Sequence, residues 1–281
     1  MNLSAVVAYV REITARMGAH RASLAAGGLA YFVVLAIAPA AVVVGSLAGL
    51  FLTPTEIRDA FARLQEASPA LAANVSGFTD SLVSIVENAS TTSITVATTV
   101  SVIVAIYAAS KVVYGIRLAQ DTSYGVASSD RTLLIRAISA IVTLAALLAF
   151  TAIIVALTFV PKVVSAFGLT DVRLVTGSTT LDWIALVVVV WLLIRLTMRH
   201  LTAARQRIPV LALGPIVATV IIAGSTIGVG VYAANSSTLS AAVLVFGSAV
   251  VALLWLYLCF LGLLTGSEME AIRRERDGRF V

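Results

Sequence analysis

The chain has 281 residues, of which 60% are hydrophobic and 12% are charged, and its formal net charge is +5. An average soluble domain is about 25% charged, so the composition excludes a soluble globular protein and a disordered chain, and it argues against the alternating strands of a membrane β-barrel. A single cysteine, Cys259, and two histidines, His20 and His200, provide no ligand cluster for a metal or haem. We therefore expect an all-α, polytopic membrane helical bundle with no cofactor and no metal.

Charge-free runs predict the first three membrane-spanning helices, because one crossing needs about 20 mainly apolar residues. They fall near residues 24–52, near residues 94–110 and between Arg136 and Lys162. The basic loop 111–136 is expected to contain a short helix at the inner interface. No carboxylate or lysine is expected deep in any span, which counts against a common type of proton relay.

The second half of the chain predicts three more spans. The run 183–194 is the fourth, and the residues after Arg195 extend it because an arginine near a helix end can snorkel. Sixty uncharged residues between Arg207 and Glu268 hold two helices, near 210–234 and 241–266, with a turn around Asn235. The total is about six transmembrane helices.

Basic residues predict the orientation of the bundle. Segments 1–21, 111–136, 195–207 and 267–281 together carry fifteen Lys and Arg residues, whereas the segments on the opposite side carry four. This positive-inside bias places both termini in the cytoplasm. Residues 1–281 then form a single integral membrane domain.

Three segments of this domain are predicted to lie outside the bilayer. Residues 1–21 form a cytoplasmic amphipathic segment, and residues 267–281 form a charged cytoplasmic tail. Residues 53–92 form an external loop with two amphipathic helices, which begin at a capping box, Thr53-Pro54-Thr55-Glu56, and at Ser68-Pro69. These two helices either lie in the membrane interface or form a lid over the bundle, and the same loop offers a surface for an envelope protein partner.

Three stretches of this sequence resemble the YihY/BrkB family of bacterial inner-membrane proteins. Residues 20–50 contain Gly28-Leu29-Ala30-Tyr31-Phe32 followed by Pro39, and residues 118–131 read LAQDTSYGVASSDR, with Asp121 where the family usually has Asn. The best match is VFGSAVVALLWLYLCFLGLLTGSEMEA, residues 245–271, and Tyr232 matches a recurrent tyrosine in the preceding span.

The resemblance implies a multi-pass protein of the bacterial inner (plasma) membrane with an unsettled activity. Some members of the family are linked to serum resistance, as virulence factors, or to envelope lipid handling. An old label for the family, a transfer-RNA-processing ribonuclease, does not fit this chain, which lacks the cluster of His and carboxylates that a metal-dependent nuclease needs. We expect no enzymatic activity, no catalytic residues and no nucleic-acid partner.

Polar and helix-bending positions within the predicted bundle are candidates for a cavity or a gate. Pro39 kinks its helix and frees a carbonyl group, and the hydroxyl face of the second span turns away from lipid. Glu268 at the membrane boundary can pair with Arg131, Arg136 or Arg207. Each also has a purely structural interpretation in helix packing or in a charge network at a helix end. The candidates are Tyr31, Pro39, Thr95, Thr98, Tyr124, Arg131, Tyr232 and Glu268.

Arg199, Arg205 and Arg207 are candidates for contacts with phosphate head groups, although topology alone also explains them. Membrane lipids are therefore the expected partners. Glycine pairs four residues apart allow close helix approach, within the bundle or between copies of the chain. The sequence therefore leaves open whether the chain forms a homo-oligomer.

Two hypotheses about function follow. In the first, the bundle is a transporter or translocator of lipid or another envelope-related substrate, with a polar cavity between its helices. In the second, it is a non-transporting scaffold of an envelope complex, with a tightly packed bundle and no cavity. The first is favoured partly by analogy with the family.

A reporter fused after Val281 tests the predicted topology. We expect a cytoplasmic signal, because an even number of spans returns the chain to the side carrying the excess of Lys and Arg. The measurement is the activity of a fusion that is active on only one side of the membrane. An external signal would exclude the six-span arrangement.

Overall fold

The computed structural model describes residues 3–49, 51–67, 94–126, 179–202, 212–235 and 241–276, together with a few isolated positions. All regular secondary structure in these ranges is helical, which confirms the predicted all-α class. The helices are α1 (Leu3–Ala19), α2 (Ala22–Ala48), α3 (Pro54–Ala67), α4 (Ile94–Ser123), α5 (Thr179–His200), α6 (Leu213–Asn235) and α7 (Ala241–Arg276).

Four of the described helices contain stretches long and apolar enough to cross a membrane. These stretches are Ala22–Ala48 in α2, Thr99–Ser123 in α4, Leu213–Tyr232 in α6 and Val250–Arg276 in α7. They correspond to the predicted first, second, fifth and sixth spans. Helix α5 covers the predicted fourth span without being among the four, and the predicted third span lies outside the described residues. The total of six therefore stays a prediction.

Helix α4 is longer than the sequence indicated. It continues without a break from Ile94 to Ser123, so the first part of the expected loop 111–136 is the end of this helix. Residues 127–136, the rest of that loop, lie outside the described residues. Within that end, Arg117 Nε and Asp121 Oδ2 lie 3.5 Å apart at i,i+4, a pairing that supports a helix. Consequently Lys111, which was expected in a loop, lies in this helix, within its apolar Thr99–Ser123 stretch.

A glycine stops α4 shortly after Ser123. Gly125 has a φ of 64°, in the left-handed region that favours glycine. The amide of Val126 donates to the carbonyl of Asp121 at 2.9 Å, which is the long bond of a Schellman motif. This motif fixes the position at which the polar end of α4 leaves the helix.

The chain divides into two compact units. One consists of Met1–Val34, Lys111–Ile135 and Val187–Val281, and the other of Leu35–Ser110 and Arg136–Leu186. In the second unit, the capping box predicted for the external loop is formed at the start of α3. The Thr53 amide donates to Glu56 Oε2 at 2.9 Å, and the Glu56 amide donates to Thr53 Oγ1 at 3.4 Å.

Helix α3 buries the apolar side chains predicted for it. Ile57 and Phe61, one turn apart, are both buried, as expected for one face of an amphipathic helix. The helix predicted to begin at Ser68 lies outside the described residues apart from positions 80, 83 and 84, which are helical.

In the first unit, α6 and α7 approach each other closely through glycines. A Cβ atom on Gly266 would lie 2.4 Å from the carbonyl oxygen of Gly214, and a Cβ atom on Gly262 would lie 2.8 Å from Ile221 Cγ2. Further along the same pair, Trp255 Nε1 donates to Thr226 Oγ1 at 3.0 Å. Small residues and a hydrogen bond between helices are the usual means of association in lipid, where apolar burial between helices gains little.

Helix α1 packs against the last turns of α7. The Tyr9 hydroxyl donates to the Met269 carbonyl at 3.3 Å, and Arg276 Nη2 lies 2.5 Å from Glu12 Oε2. Arg16 and Glu275 form a two-pronged ion pair in which Nη1 and Oε1 are 2.7 Å apart. These contacts hold the amphipathic N-terminal helix beside the end of the longest described helix.

Replacing Gly266 by alanine should separate α6 from α7. The new Cβ has no room beside the Gly214 carbonyl, and overpacking of this kind typically costs about 1–3 kcal/mol. Gly224→Ala is the control, because a Cβ there meets nothing within 4 Å and alanine favours a helix over glycine by about 1 kcal/mol. The measurement is thermal unfolding in detergent; equal melting temperatures for the two variants would contradict the close contact.

Candidate functional site

A tight turn between α1 and α2 positions His20. The turn consists of His20 and Arg21, and Arg21 has a φ of 52°. A residue other than glycine in this left-handed region is uncommon and costs on the order of 1–3 kcal/mol. The His20 amide donates to the Arg16 carbonyl at 2.8 Å, which keeps the turn close to α1. The strained turn thus holds the imidazole beside α7.

Glu268 of α7 is buried at this place, with 1% of its surface exposed. Its Oε1 atom lies 2.6 Å from His20 Nδ1 and accepts a hydrogen bond of 2.7 Å from the Ser123 hydroxyl. A carboxylate oxygen with two such partners is satisfied in the way that a buried charge requires. Its Oε2 atom, also buried, has no hydrogen-bond partner among the described residues.

Glu268 forms the polar end of a cavity of about 400 Å³, which we call the Glu268 cavity. Its wall comes from the α1–α2 turn, α2, α4 and α7. The polar lining residues are His20, Lys111, Tyr114, Thr122, Ser123 and Glu268. The larger apolar lining residues are Leu29, Phe32, Leu118 and Leu264. The cavity is therefore amphipathic, because charged and hydroxyl-bearing side chains share its lining with aliphatic and aromatic groups.

Two glycines shape this cavity in different ways. Gly115 of α4 allows α2 to approach, because a Cβ there would lie 2.7 Å from Leu29 Cδ2. Gly28 of α2 lines the cavity, and a Cβ there would meet nothing within 4 Å. The neighbouring Gly27 has equally open surroundings but does not line the cavity. Gly28 thus leaves space that a side chain would otherwise occupy.

A larger depression of about 710 Å³ lies elsewhere, along α1, and is lined by residues between Ser4 and Ala15. All of its lining residues belong to that one helix, so it is an exposed helix face. It carries one acidic and one basic side chain, Glu12 and Arg11. The Glu268 cavity, in contrast, is walled by several helices.

A second buried carboxylate, Glu270, lies two residues further along α7 and is held differently. Its Oε1 atom lies 3.0 Å from Arg273 Nη2 and 3.4 Å from Arg274 Nε, both on its own helix. A Cβ on Gly214 would lie 3.0 Å from Glu270 Cβ, which places this carboxylate at the N-terminal end of α6. A helix N-terminus favours a negative charge, which accounts for a carboxylate here. The Oε2 atom of Glu270, like that of Glu268, is buried without a hydrogen-bond partner among the described residues, but Glu270 does not line the Glu268 cavity.

Tyr124 lies just beyond α4 and is as deeply buried as Glu268. Its ring centre is 5.7 Å from the Arg274 Cζ atom, a cation–π distance, and its hydroxyl has no partner among the described residues. Burial raises the pKa of the Tyr124 phenol, against the smaller lowering effect of Arg274. The phenol therefore stays protonated at neutral pH.

None of the other predicted site residues whose side chains the structure describes lines the Glu268 cavity. Tyr31 and Tyr232 are 58% and 51% exposed and do not line it. Pro39 lies within α2 in the second unit, and Arg199 is exposed at the end of α5. Thr95 and Thr98 are helical positions of α4 whose side chains are outside the described part. Arg131, Arg205 and Arg207 lie outside the described residues.

Of the predicted candidates whose side chains the structure describes, Glu268 alone lines the Glu268 cavity. Its partners His20 and Ser123 were not among the candidates. Ser123 stands in the expected inner loop, so its place on the last turn of a long helix was not visible. His20 was counted only as one of two histidines. The Gly27-Gly28 pair was a signal, since glycine inside a helical pattern often marks a packing or functional requirement.

Among the described residues, no group of three or more His, Cys, Asp or Glu side chains is placed to hold a metal ion. The polar groups of the Glu268 cavity are instead suited to hydrogen bonding and ion pairing. It combines one carboxylate, one imidazole and two hydroxyls near its polar end.

The sequence of the chain matches a known protein family. The family model described as "Virulence factor BrkB" matches residues 13–280 of the chain. The chain belongs to the BrkB family. This confirms the resemblance noted from three short stretches, and with the four apolar helices it identifies an integral membrane protein. Searches of curated proteins and of solved structures found no match.

The match to the BrkB model covers every residue that forms the Glu268 cavity, from His20 to Glu268. The whole cavity therefore belongs to the family domain.

Removing the Tyr124 hydroxyl should not lower the thermal stability of the protein. A buried hydroxyl without a partner costs about 1–3 kcal/mol, so Tyr124→Phe should leave stability unchanged or raise it, while keeping the ring against Arg274. Tyr124→Leu, which removes the ring, should lower it. Thermal unfolding in detergent checks both variants; a melting temperature of Tyr124→Phe well below that of the unmodified protein would show that the hydroxyl has a partner.

Proposed function

We propose that this BrkB-family protein is a translocator of membrane amphiphiles, such as lipids or lipid-like precursors of the envelope. The single observation that carries the proposal is the amphipathic lining of the Glu268 cavity. Its volume of about 400 Å³ falls in the range of roughly 300–1,000 Å³ that is common for ligand sites. A bound amphiphile would place its polar head near Glu268 and its apolar part along Leu29, Phe32 and Leu264.

The alternative is a scaffold that transports nothing. That hypothesis predicted a tightly packed bundle without a cavity, and the open space beside Gly28 favours the translocator instead. The proposal includes no chemical step, so the protein acts on its substrate by binding and releasing it. Membrane lipids are then partners and substrates at once.

The contact between α1 and α7 supports the membrane arrangement that we propose. Tyr9 and Arg16 of α1 bind the last turns of α7, so these two parts of the chain lie on the same side of a bilayer. An even number of crossings between them follows. The fifteen Lys and Arg residues on that side, against four on the other, favour the cytoplasmic face of a bacterial inner membrane.

Filling the cavity should slow translocation. Purified protein is reconstituted into vesicles with fluorescent phospholipid, and the loss of fluorescence on adding an external quencher reports lipid movement between leaflets, with and without a proton gradient. We expect movement faster than with an unrelated six-helix protein, and a severalfold slower rate for Gly28→Leu, whose side chain occupies the open space.

Gly27→Leu is the matched control, because a Cβ at Gly27 also meets nothing within 4 Å and Gly27 lies outside the cavity lining. It should translocate at the rate of the unmodified protein. No movement above the unrelated protein under either condition would overturn the proposal.

A further inference from the structure

We infer that the Glu268 cavity recognises the primary ammonium group of an amphiphile, with Glu268 as its counter-ion. The inference deepens the proposed function, since it names the head group of the cargo, but it concerns binding and is tested separately. Three observations carry it: an unpaired buried carboxylate oxygen, a set of hydrogen-bond acceptors around it, and an apolar wall beside it.

The first observation is the state of the Glu268 carboxylate. Oε1 already has His20 Nδ1 at 2.6 Å and the Ser123 hydroxyl at 2.7 Å, whereas Oε2 has no partner in the described part of the chain. An ionised carboxylate only accepts hydrogen bonds. An unpartnered buried acceptor of this kind costs free energy that a bound donor would recover. A cation with N–H groups would satisfy both the charge and this buried acceptor.

The second observation is that two hydroxyl acceptors, those of Thr122 and Ser123, share the lining of the cavity with Glu268. The Ser123 hydroxyl donates to Glu268, and the Thr122 hydroxyl donates to the Leu118 carbonyl at 2.9 Å. Both hydroxyl oxygens therefore keep lone pairs for accepting, and both residues line the cavity. A primary ammonium has three donors, and Oε2 with two hydroxyl oxygens provides three acceptors. A quaternary ammonium has no N–H group and cannot use them.

Other charges on the cavity wall do not compete at this end. Lys111 is twelve residues before Ser123 on the same helix, which corresponds to about 18 Å at 1.5 Å per residue. His20 is already engaged with Oε1. Arg273 and Arg274 contact Glu270, on another face of α7. Glu268 is therefore the acidic side chain of the cavity lining beside Ser123, and it also interacts with His20 and electrostatically with Arg16.

The third observation is the apolar surface that continues from the polar end. Leu264 lies one turn before Glu268 on α7, and Leu29 and Phe32 flank Gly28 on α2. A small hydrophilic amine would leave this surface in contact with water. An acyl chain would cover it, and the lack of a side chain at Gly28 leaves room for that chain. The ligand class that fits is an amine with an apolar tail.

Native mass spectrometry of the full-length protein tests the inference with three lipids of identical acyl chains. The lipids are phosphatidylethanolamine, phosphatidylcholine and phosphatidylglycerol, offered in equimolar mixture. We expect phosphatidylethanolamine to be retained about tenfold over the other two, since a charge-assisted hydrogen bond differs from none by about that factor. Equal retention of phosphatidylcholine would contradict the recognition of a primary ammonium group. Equal retention of phosphatidylglycerol would contradict the recognition of any cationic head group.

Two variants test whether the preference for phosphatidylethanolamine depends on Glu268. Glu268→Gln keeps the shape of the side chain and removes its charge, so the preference should fall severalfold or disappear. Glu270→Gln is the matched control, because Glu270 is equally buried on the same helix but contacts its own arginines and not the cavity. A preference unchanged in Glu268→Gln, or lost equally in both variants, would overturn the assignment to Glu268.

Competition with free ethanolamine tests whether the cavity binds a whole amphiphile or only its head group. It should not displace the bound lipid at equal concentration, because it lacks the acyl chains; displacement would overturn the amphiphile and leave a soluble amine as ligand. The lipid comparison in unmodified protein does not depend on whether a variant folds. Binding preference without translocation would refute the proposed function alone, and translocation without head-group preference would refute this inference alone.

Discussion

The burial of one carboxylate constrains how the first compact unit is built. Glu268 has 1% of its surface exposed, and a buried charge is tolerated only where hydrogen bonds replace those lost from water. Its two partners come from distant places in the chain, His20 in the turn after α1 and Ser123 on the last turn of α4. If α4 ended near residue 110, one of these partners would be missing. The length of α4 and the strained turn at Arg21 are thus both connected to Glu268.

Helix α7 makes different contacts on different faces. Gly266 touches the backbone of α6, and Glu268, two residues later and about 200° around the helix, touches α4. Beyond them, Glu275 and Arg276 contact α1. Its 36 residues correspond to about 54 Å, well above the roughly 30 Å of a hydrocarbon core. The excess length provides the polar end at which these contacts occur.

The sequence predicted the helical class, the family and the start of α3, and these depend on composition and local pattern. The apolar runs and the capping box at Thr53 are local features, so each could be located without knowledge of tertiary contacts. The predicted end of α4 was wrong because Lys111 and Arg117 look like the start of a loop. In the structure the Arg117–Asp121 pair supports a continued helix, which ends only before Gly125. Charge density alone does not distinguish these two cases.

The candidate site was predictable only in part, for a related reason. Glu268 stood out as an acidic residue at the end of a span, but its environment depends on residues 145 and 248 positions away. Tyr31 and Tyr232 were chosen because they are polar aromatics in apolar helices, yet each is about half exposed. Whether such a residue faces a cavity depends on helix rotation, which periodicity in a uniformly apolar helix does not specify.

The distance along the chain between His20 and Glu268 has a consequence for biosynthesis. The two residues are 248 positions apart, and a ribosome adding about 5–20 residues per second needs roughly 10–50 s to cover that interval. During this time the α1–α2 turn and the end of α4 face no carboxylate, and the cavity lacks its α7 wall. A nascent or truncated chain that stops before α7 therefore lacks both Glu268 and one wall of the cavity. The proposed head-group site is in this sense a property of the completed bundle, and a ligand that needs Glu268 would bind the finished molecule and not an unfinished one.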